Sequence, residues 1–332
     1  MEDKKPHTAG TDTSPAGTAR PGRTDVPEPA SGRAATCTPS SPAGPSSGSE
    51  REGWYVVTGA NAGMGRALAE ELAFAGERVV MACRSMERSM PVRDEIATAT
   101  ENPDIRLLPL DLSSFGSILA FAGRLESDGI AVKTLINNAG VMNGEFRTTA
   151  DGLEQTIGVN YTGTWLLTRL LLHRMGPGSR IVNTLSCTWR IGRLGRDPLR
   201  PKAENYSRFG AYSRSKLALL LFTLELADRM KEHGIGVWGA DPGVVSTGMI
   251  TMGRWFDPLA DLLFRPLIRT PRQGADTSLW LALGGAAPEG AVYYAGRRPK
   301  RLPRRVTGSP CRRTLWEETE RLVREKTGLE EI

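Results

Sequence analysis

The sequence lacks any uninterrupted apolar stretch of about 18 residues, so nothing in it reads as a membrane-spanning helix. Its charged start, Met-Glu-Asp-Lys-Lys, is not followed by an apolar run, which argues against a secretory signal. Cysteine is sparse: Cys37, Cys83, Cys187 and Cys311 are scattered, with no Cys-x-x-Cys spacing. That pattern excludes a dense disulfide framework, points to reduced thiols in a cytoplasmic protein, and suggests no metal site. Internal repeats are absent as well. The formal charge is +6 with a pI near 9.3, and much of the excess sits in Arg297, Arg298, Lys300, Arg301, Arg304 and Arg305. No aromatic residues interleave with that run and no nucleic-acid reader motif accompanies it, so nucleic acid is not an expected partner. A solvated segment is the plain reading, and docking to an anionic surface the other.

What is present falls into two unlike parts. Residues 1–52 are rich in Pro, Gly, Ser, Thr and Ala and carry almost no large apolar side chains, the composition of a disordered tail. The character changes at Trp54. Trp54-Tyr55-Val56-Val57 reads as a buried parallel strand followed by a glycine-rich turn. Helix is then expected over 66–75, 94–100, 114–125, 152–172 and 212–230, and strand over 78–83, 105–110, 134–136, 180–185 and 236–240. This alternation predicts an α/β fold, a doubly wound parallel sheet covered on both faces, spanning 53–298. Past Pro242 the alternation breaks. Met249 to Ile268, with Trp255, Phe256 and Phe264, reads as a flap (about 248–270) over a pocket. The basic segment and an amphipathic helix close the chain over 299–332. That helix is expected from Thr314, opened by a Thr-x-x-Glu box with Glu317, to Thr327, before Gly328.

Four groups of residues carry chemistry. Gly59-Ala60-Asn61-Ala62-Gly63-Met64-Gly65 lies between a strand and a helix, where glycines let a pyrophosphate approach the N–H groups and dipole of the helix start. Tyr212 and Lys216 are four apart on a helix, hence on one face. A phenol is a poor base at neutral pH, and a neighbouring ammonium is expected to lower its pKa so that it exchanges a proton with a substrate oxygen. Ser186, at the end of the fifth strand, can hydrogen-bond a substrate carbonyl. Arg84 follows the second strand, where an acidic residue would hold the ribose hydroxyls of NAD; an arginine instead pairs with a 2′-phosphate, which favours NADP(H).

In this order the motifs resemble the short-chain dehydrogenase/reductase family, over roughly residues 54–295. Asn137-Asn138-Ala139-Gly140, Asn160 within Val-Asn-Tyr-Thr-Gly, and Pro242-Gly243 with Thr247 complete the pattern. The resemblance implies a single-domain Rossmann fold and a homodimer or homotetramer. It implies catalytic roles for Asn160, Ser186, Tyr212 and Lys216, with Asn160 anchoring a water that relays protons through Lys216. It extends the cofactor set to Asp111 and Leu112 at the adenine, and to Asn138, Ala139, Gly140, Tyr212, Lys216, Pro242, Gly243 and Thr247. Leu135 to Met142, Ser215 to Ala218, the long stretch from Ser186 to Tyr212 and Thr270-Pro271-x-x-Gly274-Ala275-x-Thr277-Ser278 look like the retinol dehydrogenase branch. That branch implies a small apolar carbonyl or alcohol substrate. Its animal members often carry an N-terminal membrane anchor, whereas a polar tail stands here, and the Arg- and Ala-rich composition points to a bacterial source. The chemistry therefore carries over and the substrate name does not. The alternative is a nucleotide sensor on the same fold without turnover; the presence of all four catalytic positions speaks for the enzyme.

Overall fold

Trp54–Thr58 (β1) is buried along its whole length. Side chains alternate between the faces of a strand, so Tyr55 and Val57 join the core on one side of the sheet, and Trp54 and Val56 join the core on the other. A strand apolar on both faces needs cover on both, which helical crossovers between parallel strands provide. The computed structural model describes residues 53–200, 203–245, 269–285 and 287–330; the expected tail and nearly all of the expected flap lie outside them.

The remaining strands are β2 (Val79–Cys83), β3 (Ile105–Pro109), β4 (Val132–Asn137), β5 (Arg180–Thr184), β6 (Gly236–Asp241), β7 (Tyr293–Ala295) and β8 (Arg298–Pro299). They pair in the order β3-β2-β1-β4-β5-β6-β7-β8, parallel throughout except for the antiparallel β7–β8 edge. Helices α1 (Gly63–Phe74) and α2 (Met86–Thr100) cover one face. The other face packs against α3 (Phe115–Ser127), the chain from α4 (Gln155–Ile157) to α5 (Thr164–Leu171), and α6 (Arg208–Met230). Among the described residues no helix is long and apolar enough to cross a membrane.

Four local readings change. The alternation does not stop at Pro242: α7 (Pro271–Ala282) joins α1 and α2 on their face, and β7 extends the sheet. Thr270 opens α7 with a capping box, its hydroxyl accepting from Gln273 N at 3.2 Å while the Gln273 side chain accepts from Thr270 N at 3.0 Å. Second, α2 begins at Met86, capped by Ser85, and runs through Pro91, the residue that hid its first half from a pattern reading. Third, the expected helix from Gly152 starts at Gln155, where the Glu154 carboxylate accepts from Thr156 N and Ile157 N, and turns π-helical over Gly158–Gly163. Last, the terminal helix α8 (Cys311–Thr327) opens on Pro310, so the Thr314–Glu317 box does not form. Thr314 instead lies inside the helix and donates to Pro310 O, and Glu317 pairs with Arg313 at 2.7 Å. α8 is held in the same core by Leu315, Trp316, Leu322 and Val323, with Trp316 stacked on Phe222.

The end of α2 carries a local cost. Glu101 closes it with φ 52°, the left-handed region that a Cβ disfavours. Glu101→Gly is expected to stabilise the protein by about 1 kcal/mol. The check is a higher urea midpoint at unchanged m; an unchanged or lower midpoint contradicts it.

Candidate active site

Crossovers leave β1 and β4 in opposite directions, which opens a crevice at the carboxyl edge of the sheet between them. The loop after β1 turns through Gly59 at φ +67°. At Gly65, on the first turn of α1, a Cβ would sit 2.1 Å from Gly59 O and 2.6 Å from Asn138 Nδ2, so a side chain there would push the loop off the helix. The N-cap Ala62 offers no side-chain acceptor, which leaves the first N–H groups of α1 to an anion. Thr58 Oγ1 accepts from both Asn138 N and Ala139 N at 3.0 Å, and Asn138 Nδ2 donates to Thr58 O at 3.0 Å. The ends of β1 and β4 are thereby bolted together.

A cavity of about 520 Å3 fills this crevice. Gly59, Asn61, Gly63, Met64, Gly65, Arg84, Asp111, Leu112, Asn138, Ala139 and Gly140 all line it. Arg84 is exposed on its rim, and Arg88, one turn into α2, lines the same cavity. The Asp111 carboxylate is held by its own loop, accepting from Ser113 N at 2.9 Å and Ser113 Oγ at 2.6 Å. Asn138 Oδ1 is buried with no hydrogen-bond partner. Free helix N–H groups, a cradle with no room for a Cβ and an unmatched amide oxygen together fit a dinucleotide.

A second cavity, of about 300 Å3, meets the first at Met64, Asn138, Gly140 and Met142. It is lined by Ser186, Tyr212, Lys216, Pro242 and Gly243, with Leu185, Cys187, Phe209, Val244 and Val245 among the rest. Thr247 lies outside the described residues. Ser186 is two residues past β5 instead of ending it, and caps the 3-10 turn Cys187–Ile191. Its Oγ accepts from Thr188 N at 3.4 Å and from Thr188 Oγ1 at 3.1 Å.

Lys216 is only 4% exposed; its Nζ donates to Thr184 O at 2.7 Å and lies 5.6 Å from the centroid of the Tyr212 ring. Burial holds the ammonium down to about 8, against the pull of Asp241. The expectation that Lys216 lowers the Tyr212 pKa does not hold. Burial pushes Tyr212 up to about 12; the Ser186 hydrogen bond works against this, while the Asp241 and Cys187 charges add to it. Desolvation of the phenolate outweighs a cation engaged elsewhere.

Asn160 sits in the π-helical turn and lines neither cavity. Its Oδ1 accepts from Val141 N at 2.7 Å, and its Nδ2 donates to Val141 O at 2.9 Å and to Ser215 Oγ at 3.0 Å. The amide therefore braces the cavity wall from behind. A Cβ on Gly140 would lie 3.4 Å from Asn160 Oδ1 and 3.8 Å from Lys216 Nζ, which shows how tightly the three are grouped. Arg88 and Asp241 are the site residues the motifs did not single out. Arg88 had a signal, an arginine four residues after Arg84, and Asp241 had one in its place directly before Pro242-Gly243.

The reversal in strand order, the glycine loop opening a helix there and the cleft above it define a dinucleotide-binding α/β protein of the Rossmann class. Residues 54–254 match the short chain dehydrogenase model. The chain belongs to that family, in its retinol dehydrogenase-like branch, and is an oxidoreductase. It is 38% identical over 264 residues to Retinol dehydrogenase 12 of Homo sapiens, covering 79% of this chain and 83% of that one. To Retinol dehydrogenase 11 of Homo sapiens it is 44% identical over 234 residues, 69% of this chain and 72% of the relative. Among solved structures, an uncharacterized protein from Mycobacterium paratuberculosis matches with TM-score 0.66 and 29% identity, over 83% of this chain and 96% of that one. A candidate NAD(P)-dependent gluconate 5-dehydrogenase from Beutenbergia cavernae, with NADP bound at low occupancy, matches with TM-score 0.59 and 27% identity, over 73% and 94%.

Proposed function

We propose that the protein interconverts an apolar carbonyl compound and its alcohol using NADP(H), with Tyr212 moving the proton. The observation that carries this reading is the meeting of Ser186, Tyr212 and Lys216 in one apolar cavity that opens into the dinucleotide-sized cleft. A nicotinamide dinucleotide, when bound, would supply or take the hydride. Gly59 to Gly65 hold its pyrophosphate, and Arg84 with Arg88 hold the 2′-phosphate. Ser186 and Tyr212 grip the substrate oxygen. A Tyr212 phenol that stays protonated at neutral pH is suited to donating to the alkoxide that develops during carbonyl reduction. Lys216, held against Thr184, places a positive charge beside the phenol as it gives up its proton. Leu185, Val244, Val245, Met142 and Phe209 make the substrate walls, in keeping with the apolar alcohol in the relatives' names.

The test is loss of NADPH absorbance at neutral pH against a panel of apolar aldehydes and ketones, with NADH beside it. Turnover preferring NADPH supports the reading, and binding of neither nucleotide sinks it. Replacing both Arg84 and Arg88 with Ala is expected to raise KM for NADPH by about 10- to 100-fold, the worth of one charged hydrogen bond. KM for NADH should move little. Equal losses with both cofactors would place the arginines' role elsewhere.

A further inference from the structure

Asp241 is a buried carboxylate that the reaction just described does not use. It is the last residue of β6 and is 5% exposed. Ala240 pairs with Thr184 across the sheet, so Asp241 emerges beside Leu185 and Ser186, just past the Thr184 carbonyl that holds Lys216. Its Oδ2 accepts from the Tyr293 hydroxyl at 2.5 Å and its Oδ1 from Gly243 N at 3.0 Å. Tyr293 in turn packs edge-on against Trp189, 6.0 Å away in the turn after Ser186. The carboxylate is thus held by β7 and by the loop after β6, with the turn after Ser186 packed against Tyr293.

Lys216 has the opposite problem. Its ammonium is buried and its hydrogen-bond acceptor, a backbone carbonyl, is neutral. A buried ammonium with no countercharge loses its proton. We propose that Asp241 is the counter-ion that keeps Lys216 charged in the active site, which makes it a positioning residue for proton transfer at Tyr212. This rests on the acid–base reading of Tyr212 and Lys216 given above. The charge of Asp241 raises the pKa of Lys216 and also that of Tyr212, so both groups feel it. Among the described residues, the other ionisable groups around this part of the site are Tyr293 from β7, Cys187 and Arg190 from the turn after Ser186, Arg208 at the start of α6, and Arg269, which donates to Pro242 O. Burial, then Asp241 itself, keep the Tyr293 phenol protonated, so it serves the carboxylate as a neutral donor.

The test reads the lysine itself. In the full-length, cofactor-free protein labelled with 13Cε-lysine, Lys216→Met assigns the resonance and a pH series gives its titration. The wild-type midpoint is expected near 8. Asp241→Asn, close in shape, should move it down by about one pH unit or more, at least about a tenfold change in the ionisation constant. Asp241→Glu should return most of that shift. If Asp241 only braces the Pro242–Gly243 loop and β7, Asp241→Asn leaves the Lys216 titration in place, and the proposal falls. A second measurement needs no change at 241. With 13C-aspartate labelling, the Asp241 carboxyl carbon of the wild type should step at the pH where Lys216 titrates and lose that step in Lys216→Met. A carboxyl signal blind to Lys216 overturns the proposal even if Asp241→Asn does not fold. Turnover separates the two readings: a fully active Tyr212→Phe would defeat the acid–base assignment, whereas the lysine titration alone decides the part of Asp241.

Discussion

Tyr212→Phe is expected to lower kcat for carbonyl reduction by about 10²- to 10⁴-fold, the usual worth of a positioned acid–base group, while leaving NADPH binding close to wild type. The substitution removes one hydroxyl and keeps the ring. The lost partner is Ser186, which keeps its bonds from Thr188, so stability should change by no more than about 1 kcal/mol. A defect in kcat without a defect in cofactor affinity or folding is what separates a group acting in the transition state from one that shapes the pocket. The wild-type pH profile carries the complementary signature. With Tyr212 pushed up to about 12, the acid stays loaded across the neutral range, so its own deprotonation sets no limb there. Lys216, held down to about 8, loses its charge above that pH, and the phenol then gives up its proton with no cation beside it. Reduction should slow as pH rises through about 8. A rate level well past that value, or a Tyr212→Phe enzyme within a few-fold of wild type, would remove Tyr212 and Lys216 from the chemistry.

Which parts of this site could be read from the chain follows from the range of the forces that make them. The glycine loop, the four-residue step from Tyr212 to Lys216 and the basic residue after β2 are set by local geometry, and each stands where its spacing put it. The strands that are buried on both faces announced themselves by apolar runs. β7 did not, because Tyr293-Tyr294-Ala295 is too short for any period to show, although it carries the phenol that holds Asp241. Pro91 concealed the first half of α2, because the missing N–H argues against helix locally, while Ser85 and the packing of Ile96 win in the fold. The π turn at Asn160 exists to bring a side-chain amide onto the Val141 backbone, a contact 19 residues away in sequence that no window of helix propensity contains. The direction of the Tyr212 shift fails for the same reason. Proximity in sequence suggested that the ammonium dominates, but burial is a property of the assembled site, and burial is the larger effect.

Lys216→Met is expected to abolish most turnover and yet make the protein more stable by about 2 kcal/mol at pH 7. The folded chain holds Lys216 at about 8 against 10.5 for a free side chain. At about 1.4 kcal/mol per unit that is a cost of about 3 kcal/mol for keeping the ammonium in place, with the attraction of Asp241 already included. Losing the bond to Thr184 O takes back about 1 kcal/mol. The sign is set by proton binding. Below about 8 the folded and unfolded chains both carry the proton, so the wild type bears the whole cost and the variant's advantage is greatest. Between about 8 and 10.5 the unfolded chain binds a proton that the folded one does not, so wild-type stability climbs relative to the variant. Beyond 10.5 both lysines are neutral and the ionisation cost is gone. Urea unfolding at neutral pH and again at about pH 9.5 should therefore show the gap between the two proteins narrowing. A variant less stable than wild type at pH 7, or a gap that holds constant, would mean that Lys216 lies at no energetic cost. A lysine kept at such a cost, where methionine fills the same space, is retained for what its charge does at Tyr212.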